Sequence, residues 1–168
     1  MPQVAYLSLG SNVGDRENYL RDAIARLETA GRIVSVSSFY ETEPVEFAGQ
    51  AWFLNCAVAL ATDRTPDQLL AALLAIEKEM GRRRSQEGRK GPRTIDLDLL
   101  LFGDSVVESP ELTIPHPAMH QRRFVLEPLA EIAPEAKHPV FKQTVRELLQ
   151  ALSAGQTVRK LQALRSKV

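Results

Sequence analysis

The chain has 168 residues, 44% of them hydrophobic, which is enough for one domain, residues 1–168, with a substantial core. Lys+Arg and Asp+Glu both number 21, the formal net charge is zero and the pI is near 6.8, so no global field draws the chain to nucleic acid or a membrane surface. No run reaches the roughly eighteen apolar residues of a membrane span, no basic leader precedes Val4, and the lone Cys56 cannot close an intramolecular disulfide, which together point to a cytoplasmic protein.

Residues 4–9 read as a strand ending in the turn-prone Gly10-Ser11-Asn12-Val13-Gly14. Leu20, Ala23, Ile24 and Leu27 then recur at helical spacing, with Asp15 and Glu17 at the start and Gly31 beyond the end. Residues 33–40 are rich in β-branched and aromatic side chains and read as a strand, and 41–51, with Pro44 and Gly49, as a loop. The alternation over 53–62 predicts a third strand: Leu54, Cys56, Val58 and Leu60 make a core face, while Phe53, Asn55, Ala57 and Ala59 share the opposite one. Thr65-Pro66-Asp67-Gln68 is a capping box with proline at the first helical position, and Leu69, Leu70, Leu73, Ile76 and Met80 continue a helix to about residue 80.

The next strand carries the most informative pattern. In Ile95-Asp96-Leu97-Asp98-Leu99, two carboxylates share one face of a strand while the aliphatic side chains turn to the core. Adjacent carboxylates repel unless a cation or proton offsets them, and a hard-oxygen pair suits Mg²⁺ carrying substrate phosphates. A solvent-exposed edge strand would carry such charges too. Before it, residues 82–93 hold Arg82, Arg83, Arg84, Arg89, Lys90 and Arg93 against the single acid Glu87. Arginine forks grip phosphates bidentately, although a solvated basic loop has the same composition. No Gly-x-x-x-x-Gly-Lys-Ser/Thr sequence occurs, which excludes a P-loop.

Further on, Pro115-His116-Pro117 holds an imidazole on restrained backbone, fit either for a phosphate or for a structural role. Prolines 110, 115, 117, 128, 134 and 139 predict short elements there, residues 145–152 read as a helix, and the polar end, 155–168, is expected to fray. The element order, strand, helix, strand, strand, helix, strand, is that of the α+β ferredoxin-like βαββαβ arrangement: an antiparallel sheet with helices on one face, here with a C-terminal extension. The other sheet face would be free for binding.

Phe39-Tyr40-Glu41-Thr42-Glu43-Pro44, Phe53-Leu54-Asn55, Gly81-Arg82-Arg83-Arg84, Gly91-Pro92-Arg93-Thr94-Ile95-Asp96-Leu97-Asp98 and Pro115-His116-Pro117 through Arg122-Arg123-Phe124 follow one another along the chain. Together they resemble the 6-hydroxymethyl-7,8-dihydropterin pyrophosphokinase family, in the same order, from about Tyr6 to Pro134. The resemblance implies transfer of pyrophosphate from ATP to the hydroxymethyl group of a reduced pterin, with release of AMP, in folate biosynthesis. It implies Mg²⁺, two ions, held by Asp96 and Asp98, with ATP as co-substrate. Arg82, Arg84 and Arg93 match loop and phosphate positions, Arg82 and Arg93 as catalytic groups; His116 and Arg122 match phosphate-holding groups, and Leu99 and Thr113 match backbone contacts to adenine. Thr42, Pro44, Val45, Phe53, Asn55 and Phe124 match the pterin pocket; Glu77 lies beside the apolar stripe of its helix, fit either to approach the nucleotide or to be a surface-edge acid.

Lys90 and Glu46 depart from the family pattern, in which an aromatic residue and a glycine are usual. The expected protein is a monomer acting on small molecules, without nucleic acid or membrane partners. A two-metal phosphodiesterase or nuclease would also use paired aspartates and arginines. A ferredoxin-like RNA-binding module would use a basic loop, but aromatics are only 6% and no strand carries an RNP-type aromatic cluster.

Overall fold

The structure is a computed structural model that describes residues 2–43, 52–81, 94–153, 155 and 157–161. The elements run β1 (Gln3–Ser11), α1 (Arg16–Leu27), β2 (Arg32–Val36), β3 (Tyr40–Thr42), β4 (Phe53–Thr62), α2 (Pro66–Glu79) and β5 (Asp96–Phe102). A short hairpin, β6 (Val107–Glu108) and β7 (Thr113–Ile114), follows, then a 3₁₀ turn at Met119–Gln121, α3 (Arg123–Ile132), α4 (Val145–Ala151) and β8 (Val158–Lys160). The helix starts form as the sequence dictates. Asp15 caps α1 by accepting from the Asn18 N–H at 3.2 Å, and the Thr65 and Gln68 side chains cap α2 reciprocally, at 3.2 and 2.9 Å. Each such cap is worth about 1 kcal/mol.

The main sheet is antiparallel in the order β5-β1-β4-β3-β8, and β2 also pairs with β4. On its first face Leu7, Leu9, Leu54, Cys56, Val58, Leu60, Leu97 and Leu99 pack with Leu20, Ala23 and Leu27 of α1 and Leu69, Leu73 and Ile76 of α2. This is the ferredoxin-like layer that the period-two and period-3.6 patterns predicted.

The second face departs from the sequence expectation. It is not wholly free, because Val125, Leu126 and Leu129 of α3 and Val145 and Leu148 of α4 cover Ala57, Leu100 and Leu101. Pro128 lies inside α3, where proline was expected to interrupt structure. Beyond the first turn proline forfeits a helix hydrogen bond; here Leu126 and Leu129, both fully buried on the sheet, outweigh that loss.

The strand expected over 33–40 is split, and Glu41–Thr42, expected in a loop, belong to β3. Ser37 causes the break: its N–H donates to Ala57 O at 2.9 Å while its hydroxyl accepts from the Ala57 N–H at 2.9 Å, a side chain standing in for a ladder carbonyl. Glu131 of α3 docks there, accepting from the Ser38 N–H at 3.1 Å and the Tyr40 hydroxyl at 2.7 Å. Within the segment expected to fray, Val158–Lys160 pair with β3.

Candidate functional site

Asp96 lies opposite Gly10, Gly10 opposite Asn55 and Asn55 opposite Tyr40, so these positions form one row across β5, β1, β4 and β3. Directly opposed residues share a face, and this face is the second one. Asp98 stands opposite Ser8, and Thr42 opposite Phe53, on the same side. The apolar cover of α3 and α4 lies over Ala57, Leu100 and Leu101, and beside it on the same face stand Asp96, Asp98, Gly10, Asn55, Phe53 and Thr42.

Gly10 makes the row possible. A Cβ there would stand 2.7 Å from Asn55 Nδ2 and 3.7 Å from the Phe53 ring, so only glycine lets the amide lie across β1. The sequence reading placed Gly10 in a turn and missed it; its signal was a glycine at the end of an alternating apolar run. Between the Asp96 and Asn55 positions lie two strand spacings, roughly 10 Å.

The two sides differ in burial and in bonding. Asp96 and Asp98 are half-buried, whereas Ile95, Leu97 and Leu99 face the core as the alternation predicted. Among the described residues no group of three histidine, cysteine, aspartate or glutamate side chains stands together to hold a metal. Two half-exposed carboxylates fit Mg²⁺, which is commonly held by one or two carboxylates while phosphate and water oxygens complete its shell. Asn55 is 3% exposed and Thr42 1%, yet Asn55 Oδ1 and Thr42 Oγ1 have no hydrogen-bond partner among the described residues. Burying an amide oxygen without a partner costs about 1–3 kcal/mol, a cost that a bound polar ligand would remove.

His116 is carried to the acid side by a β-bulge. The β1–β5 register shifts between Tyr6 and Leu7, leaving Leu100 as the extra residue, and Leu100 O accepts from the His116 N–H at 2.9 Å. His116 Nδ1 accepts from the Ala118 N–H at 3.2 Å. Burial first, then the Arg122 charge, lowers the imidazole pKa to about 4 against the opposing pull of Asp96. The neutral ring therefore carries its proton on Nε2, a donor suited to a phosphate oxygen. Arg122 lies at the start of α3 with its guanidinium 5.6 Å from the centre of the Phe124 ring.

Glu77, at the end of α2, is 2% exposed and its Oε2 accepts from the Leu97 N–H at 2.7 Å. It thus grips the outer edge of β5 between the two aspartates. Leu99 is a core residue of β5, and the β7 strand holding Thr113 packs beside β5. Arg82, Arg84, Arg93, Pro44 and Val45 lie outside the described residues, as do Lys90 and Glu46.

A face with paired carboxylates, a neutral imidazole and an arginine on one side and a buried amide whose oxygen has no partner among the described residues on the other suits a protein that sets a metal-complexed polyanion beside a polar heterocycle. Residues 6–134 match the model of the family described as 7,8-dihydro-6-hydroxymethylpterin-pyrophosphokinase (HPPK), and the chain belongs to this family. It is similar to the 2-amino-4-hydroxy-6-hydroxymethyldihydropteridine pyrophosphokinase of Bacillus subtilis, 50% identical over 139 residues that cover 82% of either chain. The protein of that name from Aquifex aeolicus is 40% identical over 142 residues, 84% of this chain and 88% of that one. Against the folic acid synthesis protein fol1 of Schizosaccharomyces pombe identity is 43% over 152 residues, 89% of this chain but 20% of that protein. Among solved structures, a Plasmodium falciparum HPPK-DHPS with pterin and p-hydroxybenzoate shares the fold with a TM-score of 0.71 at 20% identity, covering 89% of this chain and 42% of that one.

Proposed function

We propose that the chain transfers pyrophosphate from ATP to the hydroxymethyl group of 6-hydroxymethyl-7,8-dihydropterin, releasing AMP, as an enzyme of folate biosynthesis. Family membership over residues 6–134 and relatives named for this activity support the reading. The observation that carries it at the level of the site is the row Asp96–Gly10–Asn55, which sets a carboxylate and a buried amide, its oxygen without a partner among the described residues, on one face with only a glycine between them.

On this reading Asn55 orients the pterin by hydrogen bonds to its polar edge, Thr42 adds a hydroxyl, and Phe53 and Phe124 pack against the ring. The pterin hydroxyl attacks the β-phosphorus in line. A new O–P bond forms there, the bridging oxygen leaves with AMP, and the hydroxyl proton passes to solvent. His116 Nε2–H and Arg122 hold phosphate oxygens, backbone groups of Leu99 and Thr113 meet the adenine, and Glu77 keeps β5 in place beside the nucleotide. Arg82, Arg84 and Arg93, with Pro44 and Val45 on the pterin side, complete the site from outside the described residues. Asp96 and Asp98 would hold Mg²⁺, two ions, whose charge offsets that of the phosphates. Positioning and charge stabilisation then account for most of the rate.

The same reading makes the chain a single cytoplasmic pyrophosphokinase unit, a monomer serving small molecules and not nucleic acid. Among the described residues no helix is long and apolar enough to cross a membrane. The test is incubation with ATP and reduced hydroxymethylpterin. AMP release that requires the pterin is the expected result; ATP cleavage at the same rate without pterin would favour a two-metal phosphodiesterase instead.

A further inference from the structure

Behind the Thr42–Phe53 pair, on the opposite side of the sheet, the last described strand closes a clamp. Glu41 lies between two arginines: Oε2 accepts from Arg16 at 2.8 Å and Oε1 from Arg159 of β8 at 2.7 Å. The same arginines hold Trp52, the residue before Phe53. Arg16 donates to Trp52 O at 2.8 Å, and the Arg159 guanidinium lies 4.7 Å from the centre of the indole. Nearby, the Glu43 N–H donates to Thr157 O at 3.0 Å, and the Thr157 N–H donates to Glu43 Oε1 at 3.3 Å. The strand β8 lies outside the residues 6–134 matched by the family model.

We propose that β8 is a strap that sets the rim of the pterin pocket, with Arg159 as its positioning residue. Thr42 and Phe53 stand at the ends of β3 and β4, where strands fray unless something holds them. A guanidinium can do two things at once there. Its fork pairs with Glu41 in β3 while its plane covers Trp52 at the start of β4, so the spacing between these two strand ends follows Arg159. Arg16 ties the same two residues to α1. The rotamer and height of Phe53 and the approach of Thr42 are then fixed before substrate arrives, and preorganisation of this kind appears as affinity. Asp96 and Asp98 lie across Gly10 on β5, out of the clamp's reach, so the nucleotide side is indifferent to it.

The inference rests on the pterin-pocket reading, and its test separates the two. In the full-length protein, Arg159→Ala should raise the pterin Kd about tenfold, the equivalent of about 1.4 kcal/mol. Nucleotide-analogue affinity and kcat at saturating pterin should stay within twofold. Trp52 is the only tryptophan in the chain, so acrylamide quenching of its fluorescence should increase in the free variant. Arg159→Lys keeps a cation beside Glu41 and the indole and should recover most of the affinity. Glu41→Gln, which retains shape and removes charge, should weaken pterin binding in the same direction and supplies the test if Arg159→Ala does not fold. Wild-type pterin affinity in these variants, or an equal loss for pterin and nucleotide, overturns the strap. If Asn55→Ala also leaves pterin affinity unchanged, the pocket reading itself has failed.

Discussion

One face of one sheet serves two purposes, and its two ends differ in what lies above them. At one end Ala57, Leu100 and Leu101 lie under α3 and α4 as ordinary core. Beside it, Asp98 in the same row as Ala57, and Asp96 and Asn55 one step further along the strands, carry the polar groups of the candidate site. The strands are continuous through both ends, so strand chemistry alone does not make the difference. The start of α3 lies toward the acid side, where the charge of its N-cap residue Arg122 acts on His116. A polar row set directly beside packed core draws rigidity from it.

The comparison breaks most visibly at the carboxylates. Asp96→Asn and Asp98→Asn should each lower turnover on the order of 10³-fold, the scale of losing one group that stabilises developing charge, with circular dichroism and melting temperature near wild type. Near-normal turnover at limiting Mg²⁺ would remove the pair from the reaction. At the covered end the expectation reverses. Leu126→Ala, at a fully buried position, should cost about 2–5 kcal/mol of stability in a urea titration while pterin and nucleotide affinities of the folded protein hold. A selective loss of one ligand would show that the two ends are not separate.

A smaller effect sharpens the division within the polar row. Asn55→Ala should cost about 1–3 kcal/mol of pterin binding and spare ATP; Gly10→Ala, whose Cβ would crowd Asn55 Nδ2 at 2.7 Å, should move affinity the same way by a smaller factor. Calorimetric titration with each ligand distinguishes them, and equal losses for both ligands would make Asn55 a structural amide. The smallest effect concerns pH. The hydrogen bond from Arg16 first, then that from Arg159, holds the Glu41 carboxyl below its ordinary 4.5 against the opposing effect of burial. A depressed carboxyl stabilises the fold above the ordinary value and loses that contribution as pH falls through the lowered one. The stability gap between wild type and Glu41→Gln should therefore be complete at neutral pH and close below pH 4.5. A gap that widens in acid would contradict the ion pairs.

Periodicity and capping chemistry make the first layer legible in the amino-acid order itself: the alternation of residues 53–62 matches β4 end to end, and the Thr65–Gln68 capping box starts α2. The two aspartates are equally plain, since a strand has only two sides and Ile95, Leu97 and Leu99 claim one of them. These features depend on near neighbours in the chain, and the sequence records them directly. What tertiary structure alone decided was distance across strands. Gly10 became the floor between Asp96 and Asn55 only through the registers of β1 with β4 and β5. The Ser37 break was invisible because its cause is an acceptor supplied to Ala57 of β4, far along the chain, and α3 survived Pro128 because the sheet buries its leucines. Likewise Arg159 reads as part of a polar tail until β8 meets β3 and brings it to Glu41 and Trp52. Side-chain pattern is local, whereas register, cover and clamp arise from pairings between residues far apart in the chain.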